Sequence, residues 1–437
     1  MFLPVASSPP LGFRLSISGC RDMRAVRFVH ASDLHLDATF GGVDAADEIV
    51  AGALERSTLE ALDRVVQLCI DREVDFLVIA GDLHNSGDHS LRAELAFQRA
   101  MRRLSDAGID AFVVQGNHDP ADGWTAGLEL PQTVVVFPTD RVERHEVIRD
   151  DEVVCAVYGR SYPTRHVTEN LALGYARREG DPLAIGVLHA NVGQRAGWDN
   201  YAPCTVDNLR AAGMDYWALG HIHVAGRVSD NPPSVYSGST QGLNPTEEGP
   251  RGCYLVELDG GGAVEEFVET ASVRWRVLEI DCSEVANIDD LRTALEDACG
   301  AARDASGDRP TVNKIGLVGR SAIHADLARS GLLRDLIGDL RQEQLQLEPW
   351  VWLDTVRDAT RPVLDLQEIL AEEGLRGDLA RLARDLEASP EEAERLVEDT
   401  LAPVIFPLAV RPELGVTGKD VVARALDLCL DLLSGDS

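Results

Sequence analysis

From Ala25 to about Asp259, short apolar runs alternate with longer stretches whose apolar residues recur at helical spacing. The runs include VRFVHAS, FLVIAGD, DAFVVQGNHD, EVVCAVYGR, LAIGVLHAN, YWALGHIH, SVYSGS and GCYLVELD. Several are nearly continuous in Val, Ile, Leu and Phe, the pattern of strands buried on both faces. Helical periodicity fills about 53–71 and 90–107, between the first three runs. This alternation predicts an α/β layered domain, and the closer spacing of the later runs predicts a mixed sheet with antiparallel additions.

A second unit begins near Ser272. The runs VRWRVLEIDCS, TVNKIGLVGRS and WVWLDTVRD, with helical patterns at about 288–302 and 325–346, predict a small βαβαβ module. Beyond Pro362 the pattern becomes that of acidic amphipathic helices. One starts at Ser389-Pro390-Glu391-Glu392, an N-cap with proline in the first turn, and the last covers about 419–433. The expected divisions are therefore 1–22, 23–270, 271–360 and 361–437. The leading segment 1–22, broken by Pro4, Pro9 and Pro10, is expected to be a disordered extension or the product of an upstream start codon chosen in error.

The polar residues that interrupt the apolar runs carry the chemistry. Five strand ends bear ligand-type side chains: Asp33 and His35, Asp82, Asn117 and His118, His189, then His221 and His223. In open α/β sheets the site lies beyond the carboxyl ends of the strands, so these loops should converge. Carboxylates, imidazoles and one amide oxygen suit Mn²⁺, Fe²⁺ or Zn²⁺ and lack the thiolates of a structural zinc site. With one histidine set aside for catalysis, seven ligands exceed one tetrahedral ion and fit two ions sharing a carboxylate. Such a pair can clamp a phosphodiester, make hydroxide from a bridging water near neutral pH and steady the leaving oxygen. Gly81, Gly116 and Gly220 immediately precede Asp82, Asn117 and His221, where the backbone must turn sharply. Each motif alone is a common turn, and the ordered set of five is what points to a metal centre. His30, His145, His166 and His324 are expected to be structural or solvated, while His84 and His89 lie in a polar loop beside the cleft.

Composition restricts the partners. The 437 residues carry a formal charge of −32, which repels phosphates and anionic membranes and favours metal ions and basic partner proteins. The eight cysteines form no C-x-x-C pair, which fits buried thiols in a reducing cytosol, and no apolar run is long enough to cross a membrane. No G-x-x-x-x-G-K-[ST] phosphate loop is present, so ATP hydrolysis would have to come from another protein.

HASDLHLD, AGDLHN, QGNHD, GVLHAN and GHIH, in this order, resemble the five phosphoesterase motifs of the calcineurin-like metallophosphoesterases. HASDLHLDATFGG followed by AGDL most resembles the bacterial DNA repair exonuclease branch, the SbcD and YhaO-like relatives of the double-strand-break repair nuclease subunit. The likeness is specific over about 26–258, weaker over about 272–358, and slight in the acidic tail. It implies a four-layer sandwich of mixed sheets flanked by helices, with a small α/β cap and a helical C-terminal tail. It further implies one metal on Asp33, His35, Asp82 and His223 and a second on Asp82, Asn117, His189 and His221, with Asp82 bridging and two Mn²⁺ as the usual ions. His118 would contact the scissile phosphate and protonate or steady the leaving oxygen. Where the family often carries Asp or His to support that histidine, this chain has Asn85, with His84 as a neighbouring substitute.

The leading expectation is a cytoplasmic Mn²⁺-dependent nuclease subunit acting on duplex or single-stranded DNA ends with an SbcC/YhaN-like coiled-coil ATPase, and with no membrane association. A homodimer is compatible with this reading. The alternative is a phosphoesterase of small nucleotide or cyclic nucleotide phosphodiesters, which would need a closed pocket in place of a groove lined by Arg160, Arg165 and Arg195. A third reading makes the chain chiefly a docking component, with Leu375, Leu379, Leu382 and Leu386 as the contacting stripe of its tail.

Overall fold

The computed structural model describes residues 25–40, 47–85, 90–121, 127–195, 197–327, 329, 331–401 and 417–434. The segment 1–22, with Cys20, and His89 lie outside the described residues. The chain forms two compact units, Met1–Trp275 and Arg276–Ser437.

The first unit holds twelve strands among its described residues: β1 Val26–Ala31, β2 Phe76–Ala80, β3 Asp110–Val114, β4 Val134–Val136, β5 Glu143–Arg149, β6 Glu152–Gly159, β7 Ala184–His189, β8 Tyr216–Gly220, β9 Gly226–Asp230, β10 Pro233–Tyr236, β11 Gly252–Asp259 and β12 Gly262–Glu269. Its helices are α1 Glu48–Asp71, α2 Leu91–Asp106 and α3 Val206–Ala211. One six-stranded sheet runs β12-β11-β1-β2-β3-β4 and the other β5-β6-β7-β8-β10-β9. Strands β1 to β4 are mutually parallel, as are β6, β7, β8 and β10, while β11, β12, β5 and β9 add antiparallel edges.

Strand periodicity of two explains the layering. Phe28, Phe76, Val78, Phe112 and Val114 point from the first sheet into a core shared with Val157, Ile185, Val187, Tyr216 and Ala218 of the second. Their neighbours Val29, Ala31, Leu77, Ile79 and Val113 point the other way, onto Leu62, Val65, Phe97 and Met101 of α1 and α2. The outer face of the second sheet packs Leu188, Trp217 and Leu219 against Leu209 of α3 and surrounding loops. The result is a helix–sheet–sheet–helix sandwich of mixed sheets, the expected α/β architecture. Complete burial of Phe28 and Phe76, with rings stacked at 4.9 Å, contributes on the order of 1.5–3 kcal/mol for each side chain.

The second unit contains β13 Arg274–Asp281 (which begins just before it), α4 Ile288–Asp304, β14 Thr311–Val318, β15 Arg320–Ser321, α5 His324–Leu327, α6 Leu332–Gln344, β16 Val351–Asp358 and β17 Arg361–Pro362. The sheet order is β13-β14-β16, with β14 and β16 parallel. The periodicity predicts one helix over 325–346, but the structure divides it into α5 and α6. The later helix starts after Gly331, whose φ of +96° is a left-handed conformation that favours glycine. Four further helices follow among the described residues: α7 Leu366–Ala371, α8 Leu375–Ala388, α9 Pro390–Leu401 and α10 Gly418–Ser434. Arg320 ties α10 to the sheeted part of the unit through Asp427 (2.8 Å) and the Pro362 carbonyl (2.9 Å).

Candidate metal centre

The loops that follow β1 and β2 run side by side. Asp33 N donates to the Gly81 carbonyl (3.0 Å), His35 N to that of Asp82 (3.1 Å) and Leu36 N to that of Leu83 (3.0 Å). This pairing holds Asp33, His35 and Asp82 at φ of 52°, 45° and 51°, and His221 after β8 sits at 98°. Non-glycine residues in such conformations cost on the order of 1–3 kcal/mol each and persist where surrounding structure over-determines them. The preceding glycines are there for space. A Cβ on Gly116 would lie 2.2 Å from Asp82 Oδ1, and one on Gly220 would lie 1.9 Å from the Ala80 carbonyl oxygen.

Three histidines have their outer nitrogen committed to an acceptor. His189 Nδ1 donates to the Ala80 carbonyl (2.9 Å), His221 Nε2 to the Asp199 carbonyl (2.7 Å) and His223 Nδ1 to Glu247 Oε1 (2.7 Å). A carbonyl or carboxylate oxygen only accepts here, so each inner nitrogen is the one free to present a lone pair. These inner atoms converge. His189 Nε2 and His221 Nδ1 lie 3.0 and 3.1 Å from Asn117 Oδ1, and His35 Nε2 lies 3.2 Å from His223 Nε2. His189 Nε2 is 3.4 Å from Asp82 Oδ2, and His223 Nε2 is 3.7 Å from Asp33 Oδ1.

So many acceptor atoms facing one another, around carboxylates that are 1% exposed, call for positive charge at their centre. Two overlapping triads, Asp33-His35-His223 and Asp33-Asp82-His189, are close enough for each to hold an ion. Both include Asp33, whereas the resemblance makes Asp82 the bridge. Asp82 Oδ1 also accepts from His118 N (2.9 Å), which directs that oxygen toward the loop after β3.

Electrostatics follow the same geometry. Burial and then the nearby His223 push His35 down to about 3, and burial pushes His221 down to about 4. Burial also opposes the charging of His189, but the Asp82 carboxylate outweighs it and lifts this group to about 9. His223 is likewise raised against its burial, by Glu247 and Asp33. Asp33 is pushed up by burial, while the histidines around Asp82 hold it well below the usual carboxylate range despite burial. The centre thus attracts protons and cations alike.

His118 lines an open cleft of about 390 Å³ with Asp82, Asn117, Gly197, Trp198, Asp199, His221 and His223. Its Nδ1 lies 2.8 Å from the main-chain carbonyl of Asn85. Asn85 therefore reaches His118 through its backbone, and the hydrogen bond does not depend on the side chain at that position. His84 is buried and lines a separate cavity with Glu94, Phe97, Gln115 and Asp119, so it is placed away from the cleft that His118 faces. His30 is buried against Tyr216 Oη and the Leu219 carbonyl, His145 pairs with Glu143, His166 abuts Tyr201, and His324 meets Thr360. Of the arginines named for a groove, Arg160 donates to the Thr139 carbonyl (2.9 Å), Arg195 lies over the Tyr236 ring (5.1 Å) and Arg165 is exposed.

Three contributors were not singled out from the sequence. Asp119 accepts from Gly116 N (2.7 Å) and Leu83 N (2.8 Å), stapling the two ligand loops; it is the last letter of QGNHD and could have been found there. Trp198 places its ring 4.8 Å from that of His223, on a loop held by Asn191 through Arg195 and Asp199. Glu247 lies in a loop with no motif of its own.

A two-sheet sandwich with convergent strand-end carboxylates, imidazoles and an amide oxygen presents a donor set suited to two divalent ions. Residues 26–225 match the calcineurin-like phosphoesterase family and residues 275–361 the family described as metallophosphoesterase YhaO, middle domain. The metallophosphoesterase YhaO of Bacillus subtilis is 32% identical over 370 residues, covering 83% of this chain and 90% of that protein. DNA double-strand break repair protein Mre11 of Methanopyrus kandleri is 26% identical over 391 residues, covering 82% and 78%. DNA double-strand break repair protein Mre11 of Haloferax volcanii is 27% identical over 279 residues, covering 62% and 58%. The chain belongs to the calcineurin-like metallophosphoesterases, in the group that carries the YhaO middle domain.

Proposed function

We propose that the chain hydrolyses DNA phosphodiesters as the nuclease component of a repair assembly. The observation that carries the reading is the set of three histidines with outer nitrogens anchored and inner nitrogens turned toward buried carboxylates, with His118 on the same cleft. Asp33, His35, Asp82 and His223 would hold one ion and Asp82, Asn117, His189 and His221 the other, Mn²⁺ being the expected metal. Once bound, the pair would polarise the phosphate and make water a better nucleophile. The rest is the work of the chain's own residues. The Asn85 carbonyl fixes the proton of His118 on Nδ1, which leaves Nε2 to take up a proton and deliver it to the leaving oxygen. Asp119 keeps the loops of Asp82 and His118 in register, and Trp198 walls the cleft beside His223.

The relatives named as DNA double-strand break repair proteins support DNA over small phosphodiesters. A coiled-coil ATPase is the partner we propose, because the chain carries no phosphate-loop motif and α8 exposes Leu375 and Leu382. We also place the protein in the cytoplasm, on the strength of seven free cysteines among the described residues; no described helix is long and apolar enough to cross a membrane. The test compares linear duplex DNA, single-stranded DNA and a small phosphodiester in Mn²⁺. DNA should be cleaved, and Asp82→Ala or His118→Ala should lower the rate at least about 100-fold. Turnover of the small ester alone would favour a nucleotide phosphodiesterase, and undiminished cleavage in both variants would place the chemistry elsewhere.

A further inference from the structure

His223 is gripped on two sides by one loop. Its Nδ1 donates to Glu247 Oε1 at 2.7 Å, and its main-chain carbonyl accepts from Arg251 Nη1. Glu247 is itself fixed, because its Oε2 accepts from Leu243 N (3.0 Å) and its carbonyl from Arg251 Nε (3.2 Å). Arg251 reaches the Glu248 carbonyl as well (3.2 Å), and Glu247 and Arg251 are each 8% exposed. Ring, backbone and support therefore form one rigid piece. His189 and His221 make their corresponding hydrogen bonds to main-chain carbonyls, so among these three anchored histidines His223 alone has a charged partner on its outer nitrogen.

We propose that Glu247 is a positioning residue that sets the affinity of one of the two metal sites, and that Arg251 holds the loop from which it acts. A carboxylate on the outer nitrogen of a ligating imidazole fixes its tautomer and ring plane and increases the basicity of the inner nitrogen. The ion on Asp33, His35 and His223 gains from this directly. The ion on Asn117, His189 and His221 does not, because none of these side chains touches Glu247 among the described contacts. The proposal rests on the two-metal reading above.

Mn²⁺ titration followed by the spectrum of the free ion separates the two. The unaltered protein should take up two ions. In Glu247→Ala one constant should weaken 10–100-fold while the other stays within twofold. Glu247→Gln, isosteric and still able to accept from His223 Nδ1, should recover most of the loss and keep the loop folded. Equal weakening of both constants in Glu247→Gln, or none in Glu247→Ala, would overturn the role of Glu247. Uptake of fewer than two ions by the unaltered protein would instead overturn the reading beneath it.

Discussion

Asp119 and Asp181 are both buried carboxylates, yet their surroundings push them in opposite directions. Burial and then the charge of Asp82 lift Asp119 to about 8, against two backbone N–H donors. Asp181, although burial pushes it upward, is held below the usual range by Arg144 and the Tyr158 hydroxyl. The first belongs to a site that concentrates negative charge, the second to a scaffold that neutralises it. A depressed folded-state value contributes stability above the unfolded value of about 3.9 and loses it as pH falls through the folded value. Asp181→Asn should therefore cost about 2 kcal/mol in urea unfolding at neutral pH, and its deficit should close below about pH 4. At this scale the sequence shows the candidate metal donors clearly, because ligand-type residues at the ends of apolar strands stand out against their surroundings. It does not show Glu247, which lies 24 positions from His223 and meets it only through tertiary folding. Nor does it separate the backbone of Asn85 from its side chain, since a carbonyl is present at every position.

Strands and most helices of the first unit were legible for a simple reason. Burial on both faces makes β1, β2, β3, β7 and β8 almost wholly apolar, and helices between them carry one apolar face. The tail was harder to read. Leu375, Leu379, Leu382 and Leu386 form an apparent stripe on α8, but its buried line is Gly377, Ala380 and Ala383, small residues that let neighbouring helices approach closely. Leu386 packs at the edge of a cluster with Val397 and Val422 of α9 and α10, whereas Leu375 and Leu382 are 61% and 54% exposed. Counting apolar positions at helical spacing thus merged a packing face with a surface one. If the exposed leucines dock a coiled-coil ATPase, Leu375→Asp with Leu382→Asp should abolish co-purification with that ATPase and leave basal hydrolysis within about twofold. Retained co-purification would exclude this face.

For the molecule as a whole, the formal charge of −32 sets the terms on which a polyanion can approach. Residues 351–437 contribute 9 basic and 19 acidic side chains, net −10, so the remainder of the chain is still strongly acidic. Two divalent ions would place four positive charges where a phosphate lands, giving the centre a sign opposite to its surroundings. Cation capture by the seven donors is thus the step on which the whole account depends, and counting bound ions tests it most directly. Equilibrium dialysis against Mn²⁺, with metal analysis of the retained protein, should find two ions per chain, and fewer after Asp82→Ala. A single ion in the unaltered protein, or none, would contradict the account.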